Sequence, residues 1–154
     1  KEKVYEALAI SGLSPEWLEV ELTETLALSD IDFAVSQMNK LRELGVKLAM
    51  DDFGTGYSSL SYLQILPITL LKLDRSFITN IEHDNIAYEI VSAVIRIAKS
   101  KKIETIAEGI ENTVQESILR MAGCDYGQGY LYGKPMPAQK LEEFFDLNAK
   151  SAMY

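Results

Sequence analysis

Two neighbouring carboxylates, Asp51 and Asp52, are the groups in this sequence most suited to chemistry. They lie in the stretch VKLAMDDFGTGYSSL, between an alternating apolar run and a loop rich in glycine and hydroxyl groups. Adjacent carboxylates raise each other's pKa unless a positive group lies nearby. An isolated Asp-Asp pair after a strand is usually a solvated turn, so a functional interpretation needs further groups around it.

Polar side chains stand at the carboxyl ends of all five strands that the sequence predicts. Apolar runs predict strands at residues 18–22, 46–50, 69–74, 103–109 and 124–127. The polar residues at or just after their ends are Glu21, Glu24, Asp51, Asp52, Lys72, Glu108 and Gln128. One such residue alone is usually a surface charge, but the same placement at successive strand ends favours a common site.

Predicted helices alternate with these strands. The first ends at Gly12, the second runs from a Ser29 N-cap to Gly45, the third covers residues 58–64, and the longest carries Ile86, Ile90, Ala93, Val94 and Ile97. The last two cover residues 113–122, where Asn112 and Gln115 resemble a capping box, and 137–147. This alternation predicts an α/β fold with a parallel sheet, whose strands all end on the side where such proteins keep their active sites.

Composition narrows the classes of function. The chain has 154 residues, 47% of them hydrophobic, and a net charge of −8, so it lacks the positive field that attracts a nucleic acid polymer. The lone Cys124 excludes an internal disulfide and a multi-cysteine zinc site, and the lone His83, in a polar loop, is expected to be solvated. No apolar run reaches the roughly 20 residues of a membrane helix, and no signal peptide is evident. We therefore expect a cytoplasmic location.

The candidate ligands are oxygen atoms, which favour Mg²⁺ or Mn²⁺ over zinc. Several carboxylates cannot share one pocket without cations, because unpaired buried charges are costly. A turn can aim both carboxylates at one location, one bridging two ions and the other binding only the second ion, which suits a two-metal hydrolase. In such a site Lys72 would hold or help to deprotonate an attacking water, and Gln128 would orient it.

Five ordered motifs cover nearly the whole chain. They are ELTET at 21–25, DDFGTGYSSL at 51–60, LKLDRSFI at 71–78, IAEGIEN at 106–112 and GCDYGQGYLYGKPMP at 123–137. Together they resemble the EAL domain, the bacterial cyclic di-GMP phosphodiesterase family. The resemblance implies a (β/α)8 TIM-like barrel, a fold of about 250 residues. Residues 1–154 would be the C-terminal part of one such domain, with about five β/α units, and the barrel strands with the Glu-Ala-Leu motif and a metal-binding Asn would lie outside this chain.

The triplet Glu6-Ala7-Leu8 spells the family's name motif, but it lies too close to Glu21 to leave room for the intervening strands. On a helix, Val4, Ala7 and Leu8 share one face and Glu6 points nearly opposite. We therefore predict that Glu6 is a solvated helix residue and not a metal ligand.

The resemblance implies a role for each polar residue at the strand ends. Glu21 and Asp51 would bind the first metal, and Asp51 would bridge to a second ion held by Asp52 and Glu108. The attacking water would contact Lys72 and Gln128, and Lys72 or Glu108 would assist its deprotonation. The remaining implied residues act around this site: Glu24 would hold the loop after Asp52 through Thr55 or Ser58, and Asp74 and Glu111 would support the pocket.

By the same resemblance, the chain would belong to a hydrolase that cleaves cyclic di-GMP to linear pGpG with two Mg²⁺ or Mn²⁺ ions. The alternative is a catalytically inactive EAL-like domain that binds cyclic di-GMP or a protein partner. A homodimer would form through the loop and helix after Asp52, and an upstream sensory or diguanylate cyclase-like domain or a region attached to the inner membrane is compatible with the family. Because five barrel strands leave exposed edges, these residues alone would be weakly active at best, as an ordered remnant or a strand-swapped assembly.

Overall fold

The computed structural model describes residues 2–54 and 62–151. In this part of the chain, five strands form one parallel sheet in the order β1-β2-β3-β4-β5. The strands are β1 Glu19–Thr23, β2 Lys47–Phe53, β3 Leu70–Leu73, β4 Glu104–Glu108 and β5 Tyr126–Gln128. The predicted α/β fold with a parallel sheet is therefore confirmed.

Helices lie in three of the four connections between strands, and the described part of the β2–β3 connection holds a short 3-10 turn. The helices are α1 Glu2–Ser11, α2 Glu24–Ser29, α3 Ile31–Arg42, α4 Arg75–Ile78, α5 Asn85–Ser100, α6 Thr113–Ala122 and α7 Ala138–Ser151, with short 3-10 turns at Pro15–Trp17 and Tyr62–Gln64. The predicted short helix at 58–64 thus falls partly outside the described residues. No helix in the described ranges is long and apolar enough to cross a membrane.

The two faces of the sheet differ in polarity because side chains alternate along each strand. One face carries apolar side chains buried beneath the helices, including Leu48, Met50, Leu71 and Leu73. The other face carries polar side chains on several strands, among them Glu21, Asp51, Lys72 and Glu108, because the parallel register places equivalent positions side by side. The apolar face forms the core, and the polar face is left for chemistry.

Helix α5 packs through only part of the apolar stripe that the sequence suggested, since Val94 is buried and Ile97 packs against the core. Ile86 and Ile90 are exposed, whereas the row Val91, Val94, Ile95 and Ala98 is buried against the sheet. The helix has two apolar rows, and periodicity alone does not tell which one meets the core.

Two helix caps also differ from the predicted ones. Asp30, not Ser29, caps α3 and accepts a hydrogen bond from the Phe33 N–H, because an additional helix, α2, takes up Ser29. At α6, Asn112 caps the helix as predicted, but Gln115 reaches one residue further back than a capping box does. In α1, Val4 and Leu8 pack against the core and Glu6 is exposed, as predicted, whereas Ala7 is exposed.

Candidate active site

A single ammonium group joins three of the predicted site residues. Lys72 Nζ lies 3.0 Å from Glu21 Oε1, 2.9 Å from Asp51 Oδ1 and 3.0 Å from Glu108 Oε1. These carboxylates come from β1, β2 and β4, and Lys72 comes from β3. Four neighbouring strands thus contribute one side chain each to the cluster.

The cluster forms because each of its side chains lies on the polar face near a strand's carboxyl end. Lys72 is 11% exposed, and its partners Glu108, Asp51 and Glu21 are 20%, 22% and 45% exposed. Burial opposes the charged form of Lys72, but the close contacts with the carboxylates of Asp51, Glu108 and Glu21 outweigh it and raise the pKa of the ammonium above its usual range. The cluster therefore contains one firmly held positive charge among three carboxyl groups.

The donor set suits a hard divalent cation. Asp51 Oδ1 is buried and has no hydrogen-bond partner, so its contact with Lys72 is an ion pair without hydrogen-bond geometry. A buried oxygen in this state calls for a further partner, such as a bound water or ion. Among the described residues, no three carboxylates are close enough together to enclose a metal ion. In the cluster, the Lys72 ammonium lies between the carboxylates. The oxygen ligands suit Mg²⁺ or Mn²⁺. For such an ion to bind, Lys72 must release some of its ion pairs with these carboxylates.

Asp52 faces a neighbouring cavity because the backbone of β2 is irregular at this point. The β2–β3 register shifts between Met50 and Phe53, and Asp52 has a left-handed φ of 55°. In a regular strand, Asp51 and Asp52 would point to opposite faces. The bulge lets both adjacent carboxylates serve the same end of the sheet. The strand also continues through both residues, whereas the sequence predicted that they follow it.

The cavity beside Asp52 has a volume of about 360 Å³. Its lining includes five residues predicted for the site, namely Asp52, Asp74, Glu108, Glu111 and Gln128. Glu108 belongs to both the Lys72 cluster and the cavity, and so connects them. Burial opposes the charged form of Asp74, but hydrogen bonds from the Ser76 side chain and backbone outweigh it and lower the pKa of this carboxyl.

Sequence reasoning missed the side chains of Arg75 and Tyr130 in the cavity, as well as Gly109 and Gly129 in its lining. Arg75 begins α4 directly after β3, and Tyr130 follows Gln128 closely in the chain. Their positions shortly after strand ends could have indicated both residues, but neither arginine nor tyrosine suggested a metal ligand. Lys134 lies over the Tyr130 ring, 5.4 Å from its centroid.

Glu24 anchors the start of the segment after β2. It is 2% exposed, and its Oε2 accepts a hydrogen bond of 2.9 Å from the Gly54 N–H. The predicted loop contacts of Glu24, Thr55 and Ser58, lie outside the described residues. The bond to Gly54 joins the start of α2 to the residue directly after Phe53, the end of β2.

Replacing Gly54 with Ala in the full-length protein is expected to destabilise it by about 2–4 kcal/mol. A Cβ at this position would overlap the Phe77 ring, and φ is +101°. Urea unfolding checks this, with Gly12→Ala as a matched control, because Gly12 also has a positive φ but has open space around its missing Cβ. In a Phe77→Ala background, Gly54→Ala should lower the free energy of unfolding by less than it does in the wild type. Equal losses of stability for Gly54→Ala and Gly12→Ala would count against the steric explanation.

The fold and the site define the class of protein. A parallel α/β sheet with charged residues gathered at the carboxyl ends of its strands is typical of α/β enzymes and binding proteins. Comparison with known proteins gives the family. The EAL domain family model matches residues 1–135, and the chain belongs to this family.

Three relatives illustrate the match. The chain is 45% identical over 143 residues to the cyclic di-GMP phosphodiesterase NbdA of Pseudomonas aeruginosa, covering 93% of this chain and 18% of NbdA. The structure of the phosphodiesterase MucR in complex with cyclic di-GMP superposes with a TM-score of 0.86 at 41% identity, covering 91% of this chain and 57% of that one. Klebsiella pneumoniae BlrP1, in complex with manganese and cyclic di-GMP, gives a TM-score of 0.82 at 32% identity, covering 87% and 34%.

The structural neighbours are EAL domains, which are TIM-like barrels, so the five strands described above are an incomplete part of a (β/α)8-type barrel. The chain spans about a fifth of the length of curated relatives such as NbdA and MucR. Within the described part of the sheet, β1 and β5 each pair on one side only.

Proposed function

We propose that the full-length protein is a metal-dependent phosphodiesterase that hydrolyses cyclic di-GMP to linear pGpG. The observation that carries the proposal is the convergence of Glu21, Asp51 and Glu108 on Lys72, beside the cavity that holds Asp52. The similarity to NbdA and MucR supports the choice of substrate, since both are named as cyclic di-GMP phosphodiesterases.

In this proposal, Glu21, Asp51, Asp52 and Glu108 would hold two Mg²⁺ or Mn²⁺ ions. When bound, such ions neutralise the phosphate, lower the pKa of a water molecule and stabilise the leaving oxygen. The manganese complex of BlrP1 supports a divalent ion in this family. The buried Asp51 Oδ1, which is ion-paired with Lys72 but has no hydrogen-bond partner, supports the assignment within this chain.

The remaining residues of the site act on the water and the substrate. Lys72 donates hydrogen bonds to the attacking water, and Gln128, at the end of β5, orients it. Glu108 takes its proton, because the raised pKa of Lys72 keeps the ammonium charged and leaves it without a free lone pair. Asp74 and Glu111 shape the cavity wall, and Glu24 holds the segment after Asp52 through the Gly54 N–H.

The proposal extends to parts of the protein outside this chain. Further barrel strands would supply the Glu-Ala-Leu motif and the metal-binding Asn, so the 154 residues alone would be weakly active or inactive. A homodimer through the loop and helix after Asp52, an upstream sensory or diguanylate cyclase-like domain and a cytoplasmic location remain proposals. The name of MucR, a bifunctional diguanylate cyclase and cyclic di-GMP phosphodiesterase, supports such an upstream domain.

Incubating the full-length protein with cyclic di-GMP tests the proposal. We expect pGpG to accumulate with Mg²⁺ or Mn²⁺ and the reaction to stop when a chelator is added, as followed by chromatography. Calorimetry on the same preparation separates the alternative function. Binding of cyclic di-GMP without turnover in either metal would make the protein a receptor and overturn the enzymatic assignment.

A further inference from the structure

The connection between β4 and α6, residues 109–112, forms one wall of the cavity through Gly109 and Glu111. We propose that Gln115 is a positioning residue, which fixes this wall and thereby the affinity for the substrate. The proposal rests on the phosphodiesterase function proposed above. It assigns a role to a buried residue that makes no contact with the metal-site carboxylates in the described structure.

The buried side chain of Gln115 does not serve the cap of its own helix. The residue is 4% exposed, and its Oε1 accepts a hydrogen bond of 2.8 Å from the Glu111 N–H. A buried polar side chain is costly unless it is hydrogen-bonded. In a capping box the side chain in this position bonds to the N-cap residue, here Asn112. The side chain of Gln115 instead holds the backbone of the residue that faces the cavity.

The rest of this connection is held from two other directions. Asn112 Oδ1 accepts hydrogen bonds from the Val114 and Gln115 N–H groups, and Asn112 Nδ2 donates a bond of 2.7 Å to Glu82 Oε1, in the connection before α5. On the opposite side, the Ile110 N–H donates to the Gln128 carbonyl at 3.0 Å. Glu111 therefore lies between two fixed neighbours, and its own N–H depends on Gln115.

This arrangement separates substrate affinity from the chemical step. The exposed Glu111 side chain lines the cavity, and its direction follows from the backbone that Gln115 holds. Glu108 is fixed independently, since β4 pairs with β3 and β5 and its carboxylate contacts Lys72. Loss of the Gln115 bond should thus disturb the cavity wall while leaving the Lys72 cluster in place.

The test uses Gln115→Met and Gln115→Glu in the full-length protein. Met has a similar length but no acceptor, whereas Glu keeps an oxygen for the Glu111 N–H. We expect Gln115→Met to raise KM for cyclic di-GMP on the order of tenfold, as for a lost buried hydrogen bond, with kcat within about twofold of wild type. Gln115→Glu should restore KM, and amide exchange at Glu111 should accelerate only in the Met variant.

Asp84→Ala is the matched control, because Asp84 caps α5 through the Ile86 and Ala87 N–H groups and does not line the cavity. It should lower Tm without changing KM. An unchanged KM in Gln115→Met, or an equal rise in Asp84→Ala, would overturn the positioning role. If the wild type does not turn over cyclic di-GMP, the proposed function fails. The positioning role of Gln115 is then tested by comparing the Kd for cyclic di-GMP, measured with Ca²⁺, between the wild type and the variants. A wild type that also fails to bind would overturn both proposals.

Discussion

Lys72→Met in the full-length protein is expected to destabilise the metal-free form and to remove most of the turnover. The substitution leaves Glu21, Asp51 and Glu108 facing one another without the ammonium that now contacts all three. Removing one partner of a fully buried ion pair costs about 3–5 kcal/mol, and the partial exposure of these carboxylates suggests about 2–3 kcal/mol here. Turnover should fall by at least about 100-fold, as for the loss of a group that acts on the attacking water.

Thermal unfolding with a chelator and with excess Mn²⁺ separates the two effects of this substitution. Because a divalent cation can replace the lost positive charge, Mn²⁺ should stabilise Lys72→Met more than it stabilises the wild type. Lys47→Met is the matched control, since Lys47 is exposed on the neighbouring strand β2. Equal stability and equal turnover of Lys72→Met and Lys47→Met would contradict the role given to the Lys72 ammonium.

Asp52→Asn is expected to remove most activity while leaving the fold intact. Asn tolerates the left-handed backbone that Asp52 adopts, with φ 55°, so the change removes a charge without straining β2. Loss of an outer-shell partner of a metal ligand typically costs 10–100-fold, and we expect a direct ligand to cost at least about 100-fold. The measurements are turnover across a metal titration and the Tm of the same preparation.

Asp32→Asn provides the control for this substitution, because Asp32 is an exposed residue in the first turn of α3. It should leave turnover unchanged. Near-normal turnover by Asp52→Asn with metal in excess would remove Asp52 from the proposed ligand set.

The sequence predicted the order of strands and helices because their periodicities are local properties. It also predicted that Glu21, Lys72 and Glu108 lie at one edge, since parallel strands end on the same side. The structure brings these residues together through the alignment of neighbouring strands. Side-chain alternation and strand direction are sufficient for this part of the site.

The contacts that depend on lateral register could not be predicted in the same way. The shift between β2 and β3 turns Asp52 toward the cavity, and this shift is a property of two paired strands and not of either sequence alone. The Glu24–Gly54 bond joins residues 30 positions apart. The sequence did not predict the bond of Gln115 to Glu111, because it differs from a capping box by only one residue in the partner of the side chain.

The reaction in H₂¹⁸O tests the central claim most directly. The full-length protein would be incubated with cyclic di-GMP and Mg²⁺ or Mn²⁺, and the product analysed by mass spectrometry. The account predicts linear pGpG that carries a single ¹⁸O in its terminal phosphate, because water attacks the phosphorus. Cyclic di-GMP that remains intact, or a product without the label, would contradict it.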